Sequence, residues 1–231
     1  MALTDWLVAY WKLDESSGNA ADSVGGFTAT NNSVTYGPVL INNGGVFDWS
    51  TSRFSLATNL WLNGSSQNYT YSLRVRPTAD MSAQTVFFNN VDVTFHNYNY
   101  IEFYSWSMRL VRVRGGKAAD VLDVAYSMSA GTMYHVVGTY DGSTLTLYIN
   151  DVAIGTASSS WDGSAGYSNG SAIGADVGWG TKFYWDIDEV GVWDRALDAS
   201  DVTQLYNWWA GVQRPFSTPV GNSNFFMFMP L

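Results

Sequence analysis

The densest run of carboxylates is Trp185-Asp186-Ile187-Asp188-Glu189. Carboxylates spaced along one strand could cleave a glycosidic bond, because side chains two apart share a face. A retaining mechanism needs an acid/base and a nucleophile about 5–5.5 Å apart. Asp186 and Asp188 share a face, but the next position on it is Val190, and alternation sends Glu189 to the opposite face. The acid/base partner is therefore missing. A serine triad would need His96 or His135, the only histidines, and no nucleophile-elbow motif accompanies either. His135 reads as a strand residue with a satisfied ring. With no cysteine, thiol chemistry and Cys₄-type zinc sites are excluded. The expectation is a protein without catalysis.

Binding chemistry is better represented. Sugars stack their C–H faces on exposed rings, while Asn and Asp read the hydroxyls. Residues 89–100 have this composition, with His96, Asn97, Tyr98, Asn99 and Tyr100. So does the glycine-rich stretch 161–180, with Trp161, Tyr167, Asp176 and Trp179. Trp161 and Trp179 sit among Gly and Ser, where a core residue is less expected, whereas Trp11, Trp49, Trp185 and Trp193 lie in strand patterns and read as core. We therefore take Tyr98, Tyr100, Trp161, Tyr167, Asp176 and Trp179 as candidate ligand contacts. A third group is the tail Phe225, Phe226, Met227, Phe228, Met229. Left exposed it would be an aggregation hazard, so it is expected to dock, either on its own domain or on a partner subunit.

The elements that must position these residues are mostly strands. Runs with strand character occur at 7–13, 46–56, 69–76, 84–95, 100–106, 108–114, 133–140, 144–150, 152–157 and 183–194. Gly, Asn, Asp and Ser clusters separate them, among them a polar loop at 19–32 and the hairpin turns Asp141-Gly142 and Asn150-Asp151. One helix is expected. Asp198 is its N-cap with Asp201 three residues on, Leu197 precedes the cap, and Val202, Leu205, Tyr206 and Trp209 follow at helical spacing. Gly211 is the stop. The 231 residues are 16% aromatic and only 13% charged, the profile of one strand-and-turn domain over 1–211 followed by the tail 212–231. A net charge of −9 with scattered acids disfavours nucleic acid and anionic membranes. The one basic cluster, Arg109, Arg112 and Arg114, reads as a solvated strand face. No window approaches a membrane span, and the N-terminus has no basic segment followed by an apolar run.

Three blocks carry a resemblance: LVAYWKLDESSGNAADSVGG (7–26), YHVVGTYDGSTLTLYINDVAIGTA (134–157) and DIDEVGVWDRALDASDVTQLYN (186–207). In order and spacing they resemble the LamG-like jelly-roll branch of the concanavalin A-like lectin/glucanase superfamily. That resemblance implies an all-β, two-sheet antiparallel sandwich with one short C-terminal helix. It also implies a structural Ca²⁺ where the loop after the first strand meets the Asp-Glu strand, with Asp22 and Asp188 in the matching positions. The other reading of those two residues is an Asx-turn at Asp22 and a hydrogen bond from a neighbouring loop to Asp188. Free-standing proteins of this type resemble those of tailed bacteriophages. The functional expectation is thus a homo-oligomeric virion surface, decoration or fibre protein that contacts other assembly proteins and adheres to host glycans; the alternative is a free, extracellular carbohydrate-binding module.

Overall fold

In the computed structural model, residues 2–48, 52–57, 60, 68–78, 85–92, 97–113, 119–159, 170–175 and 183–209 are described. In chain order they form strands β1 (Leu7–Trp11), β2 (Thr30–Asn32), β3 (Thr35–Pro38), β4 (Asn43–Val46), β5 (Arg53–Leu56), β6 (Tyr69–Arg76), β7 (Thr85–Asp92) and β8 (Asn97–Tyr104). Then follow β9 (Ser107–Val113), β10 (Asp120–Ala125), β11 (Tyr134–Tyr140), β12 (Thr144–Ile149), β13 (Val152–Ser158), β14 (Ser171–Ile173), β15 (Asp186–Trp193) and helix α1 (Ala199–Trp209). Two antiparallel sheets result. One runs β13-β12-β11-β6-β15-β4-β3, with β1 also on β15; the other runs β10-β9-β8-β7-β14-β5-β2.

Alternation along the strands builds the core between the sheets. Leu73, Val75, Val136, Ile187, Val190 and Val192 of the first sheet meet Phe88, Ile101, Phe103, Leu110 and Ile173 of the second, all buried. Gly138 sits where a side chain would collide, since a Cβ there would lie 3.0 Å from Leu110 Cδ1. A smaller layer covers the outer face of the first sheet. Leu197, Val202 and Leu205 of α1 and its approach pack on Val137, Tyr148 and Trp193. The cap works as the sequence predicts: Asp201 N donates to Asp198 Oδ1 (2.9 Å) and Asp198 N donates back to Asp201 Oδ2 (3.3 Å).

Several strand readings change. The run 46–56 is divided between β4 and β5, which belong to different sheets. The 19–32 loop ends in a short strand, β2, and β3, β10 and β14 also lie outside the expected strands. These are edge or three-residue segments, too short or too weakly alternating to show a period. Trp11, Trp185 and Trp193 are buried as expected; Trp49 lies outside the described residues.

Candidate functional site

Strand β15 holds the carboxylates, and its pairing decides what they can do. One edge pairs with β6 throughout. The other pairs with β4 at Asp186 and Ile187, and with β1 from Val190 to Trp193. Asp188 and Glu189 fall in the gap between those partners, where the register shifts and Glu189 adopts φ +53°. This bulge overturns the expected alternation. Val190 turns into the core, while Glu189 joins Asp188 on the outer side, where Tyr10 donates its hydroxyl proton to Glu189 Oε2. All three carboxylates are buried. Asp186 is 2.6 Å from Arg76 Nη2. Asp188 Oδ2 accepts from the amides of Leu40 (3.2 Å) and Ile41 (3.1 Å). Burial, then the charge of Glu189, pushes the Asp188 carboxyl up to about 8.

The remaining polar groups on this face form one cluster beneath α1. Arg74, opposite Asp188 in register, is buried; Arg74 Nη2 donates to the carbonyl of Tyr206 at 3.2 Å and its guanidinium lies 5.3 Å from that ring's centroid. His135, opposite Arg74 on β11, shares a hydrogen bond with Ser72 Oγ (2.8 Å), while its Nδ1 has no partner among the described residues. Its ring is therefore half satisfied. Burial, then the Arg74 charge, holds the imidazole well below its ordinary value. The contacts with Tyr206 join β6 and β11 to α1.

Asp22 and Asp188 are tied to different partners. Asp22 Oδ1 accepts from Tyr10 N (2.8 Å) and Val24 N (2.9 Å), and Oδ2 from Gly25 N (2.8 Å) and Phe27 N (3.0 Å). Four amides occupy this carboxylate, which closes the loop after β1 and does not offer a cation a free oxygen. Asp188 does fit a cation on one side: its Oδ1 is buried without a partner among the described residues, and Asp14 adds to the negative field around it. Among the described residues, no group of three or more His, Asp or Glu is arranged to hold a metal ion.

The second sheet presents a different surface. Register along β8 and β9 puts Tyr98, Tyr100, Glu102 and Tyr104 on its outer face beside Val113, Val111, Arg109 and Ser107. Tyr98 and Tyr100 are half-buried there. Glu102 is buried and binds Arg109 Nη1 at 2.8 Å. Asp123 of β10 lies 3.5 Å from Arg109 Nε, and the guanidinium covers the Tyr104 ring at 4.9 Å. The basic cluster is thus not a solvated face. Arg109 points out into ion pairs, whereas Arg112, three residues on, points inward, buried 4.3 Å from the Tyr140 ring centroid. Arg114, Trp161, Tyr167, Asp176, Trp179 and the tail residues Phe225 to Met229 lie outside the described residues. Sequence reasoning missed Tyr104 and Trp106, which are both exposed. It read them as a continuing strand, although the Ser105-Trp106 pair between two alternating runs is placed as a two-residue hairpin turn.

The chain belongs to the concanavalin A-like lectin/glucanases superfamily: residues 26–203 match its Laminin_G_3 family. The second of the three sequence blocks falls inside that match and the third nearly so, while the first precedes it. The fold is similar to the binding domain of botulinum neurotoxin serotype D/C (TM-score 0.72, 13% identity, 90% of this chain and 53% of that one). It is also similar to a botulinum neurotoxin DC binding domain in complex with rat synaptotagmin II (TM-score 0.72, 12% identity, 90% and 52%). A third similar structure is the binding domain of Paraclostridial Mosquitocidal Protein 1 (TM-score 0.71, 15% identity, 90% and 53%). The chain spans about half the length of these domains, and at such identities the likeness is one of fold. No curated protein matches the sequence.

Proposed function

We propose that this chain is a non-catalytic adhesive module that binds glycans and is displayed on a virion surface or a comparable surface assembly. The observation that carries the reading is the state of the β15 carboxylates. Where a glucanase-type strand would offer a catalytic pair, all three are buried and each has a polar partner. On the second sheet the exposed rings are Tyr104 and Trp106, with Tyr98 and Tyr100 half-buried. The family contains lectins by its own description, and one structural neighbour concerns cell entry of botulinum neurotoxin type C through two ganglioside molecules. The virion setting rests on the sequence resemblance and on an apolar tail that needs covering.

A glycan array probed with the full chain tests the binding half, and deletion of residues 217–231 tests the assembly half. Glycan binding that survives the deletion, with loss of self-association, is the expected pair of results. Silence across the array, or release of reducing sugar from any bound glycan, would sink the reading. Within it, a structural Ca²⁺ would sit at Asp188, with Asp22 serving only as the loop's amide cradle. Melting in Ca²⁺ is then expected to exceed melting in EGTA by several degrees, and Asp188→Asn is expected to remove the difference. Equal midpoints in Ca²⁺ and EGTA would exclude the ion.

A further inference from the structure

The turn between β8 and β9 is built from residues that disfavour it twice. Tyr104 and Ser107 close the ladder, and Ser105 (φ 48°) and Trp106 (φ 66°) make the two-residue loop. Left-handed backbone at both central positions is the geometry that selects Asn-Gly. A bulky residue there is strained, and strained residues concentrate at functional sites. Trp106 is also 53% exposed, so its ring forgoes much of the burial that would offset the strain. It is fixed nonetheless, because its carbonyl accepts from Tyr126 N at 3.1 Å.

Its surroundings are those of a binding platform. Tyr104, 44% exposed, sits at the same hairpin end. Arg109 braces the Tyr104 ring at 4.9 Å and is itself held by the buried Glu102. Asp123, whose side chain is 51% exposed, presents acceptor oxygens beside them. Among the described residues, one cation against two carboxylates leaves this patch net negative, on a chain of net charge −9. Sialylated and uronic sugars would be repelled. An uncharged pyranose could stack its C–H face on the exposed aromatic surface and donate hydroxyls to Asp123.

We propose that the β8–β9 hairpin, through Trp106, Tyr104 and Asp123, is a primary contact site for a neutral glycan; the proposal rests on the glycan-binding reading above and gives it a location and a sugar class. Trp6 supplies a control. It is 63% exposed and also left-handed (φ 65°), but it precedes β1 at the opposite end of the sandwich. There Leu7 pairs with Trp193, whereas Tyr126 beside the hairpin packs on Tyr134 at the other end of β11.

The test is one array run with four proteins: wild type, W106A, the turn-compatible double variant S105N/W106G, and W6A. Both Trp106 variants are expected to lose about ten-fold or more of the binding to neutral glycans, the scale of a stacking hot spot. W6A should keep it, and S105N/W106G should melt within about 4 °C of wild type, showing that the fold persists. Wild type that binds no glycan overturns the functional reading and this site with it. Wild type that binds neutral glycans equally well after both Trp106 substitutions overturns the site alone. A preference for sialylated over desialylated glycans overturns the sugar class.

Discussion

Arg74→Ala is expected to lower the unfolding free energy by about 3–5 kcal/mol, the range for removing one partner of a buried charge cluster. Three losses coincide at this side chain. The carbonyl of Tyr206, near the C-terminal end of α1, loses the guanidinium donor at 3.2 Å. The Tyr206 ring loses the cation stacked 5.3 Å from its centroid. Glu189 loses the positive charge that supports it across β6 and β15. Burial already pulls the Arg74 pKa down to about 9, with Tyr206, Tyr10, Glu189 and Asp188 holding it up against that effect. The guanidinium is thus kept charged by its neighbours, and they are left uncompensated when it goes. Urea unfolding measures the loss. Arg74→Met, which restores much of the volume without the charge, should recover little, whereas adding Glu189→Gln to Arg74→Met should recover more than 1 kcal/mol, because neighbouring charges couple. A loss below about 1 kcal/mol in Arg74→Ala would show that the cluster is solvated and contributes almost nothing.

The sandwich was legible because long strands advertise their period. The run 69–76 alternates cleanly and becomes β6 at the centre of a sheet, and the meander 133–157 yields β11, β12 and β13 with its Asn150-Asp151 turn in left-handed backbone. The helix was legible through its cap, since Asp198, Asp201, Leu197 and Val202 act as their spacing implies. What failed was what a period cannot encode. The bulge at Glu189 adds one residue to a strand, so every side chain beyond it changes face, and Val190 and Glu189 exchange the orientations that alternation assigns. The pairing of Asp188 with Leu40 and Ile41 joins positions 147 and 148 residues apart. The hairpin at Trp106 was hidden because neither Ser nor Trp favours the left-handed backbone of a two-residue hairpin; the identity of Trp106 argues against the conformation it adopts.

Stability is expected to fall by about 2 kcal/mol between pH 6.5 and pH 8 in metal-free buffer, and Asp188→Asn is expected to remove most of that fall. The Asp188 carboxyl is raised to about 8 by burial and by Glu189, against 3.8 when exposed. Between those values the folded chain binds a proton that the unfolded chain has released, so stability is greatest at the acid end and is lost as pH rises toward about 8. His135 acts in the opposite sense. Its folded value lies well below 6.5, so its contribution is present above pH 6.5 and lost as pH falls. Below pH 6.5 the two slopes oppose each other and little net change is seen. Above it His135 is neutral in the folded chain and increasingly so in the unfolded one, and Asp188 dominates over about 1.5 pH units at about 1.4 kcal/mol each. Asp141 and Asp198, both held below the usual carboxylate range, titrate far to the acid side, and Arg74, at about 9, lies beyond the window. Asparagine reproduces the protonated acid, with its oxygen accepting from Leu40 and Ile41 and its amide in place of the partnerless Oδ1. Denaturant midpoints of the two proteins, taken at half-unit steps from pH 6 to 8.5 in EGTA, decide the matter. A wild-type profile that is flat or rising across that range would mean that Asp188 is ionised in the folded protein, its burial offset by the Arg74 charge that faces it.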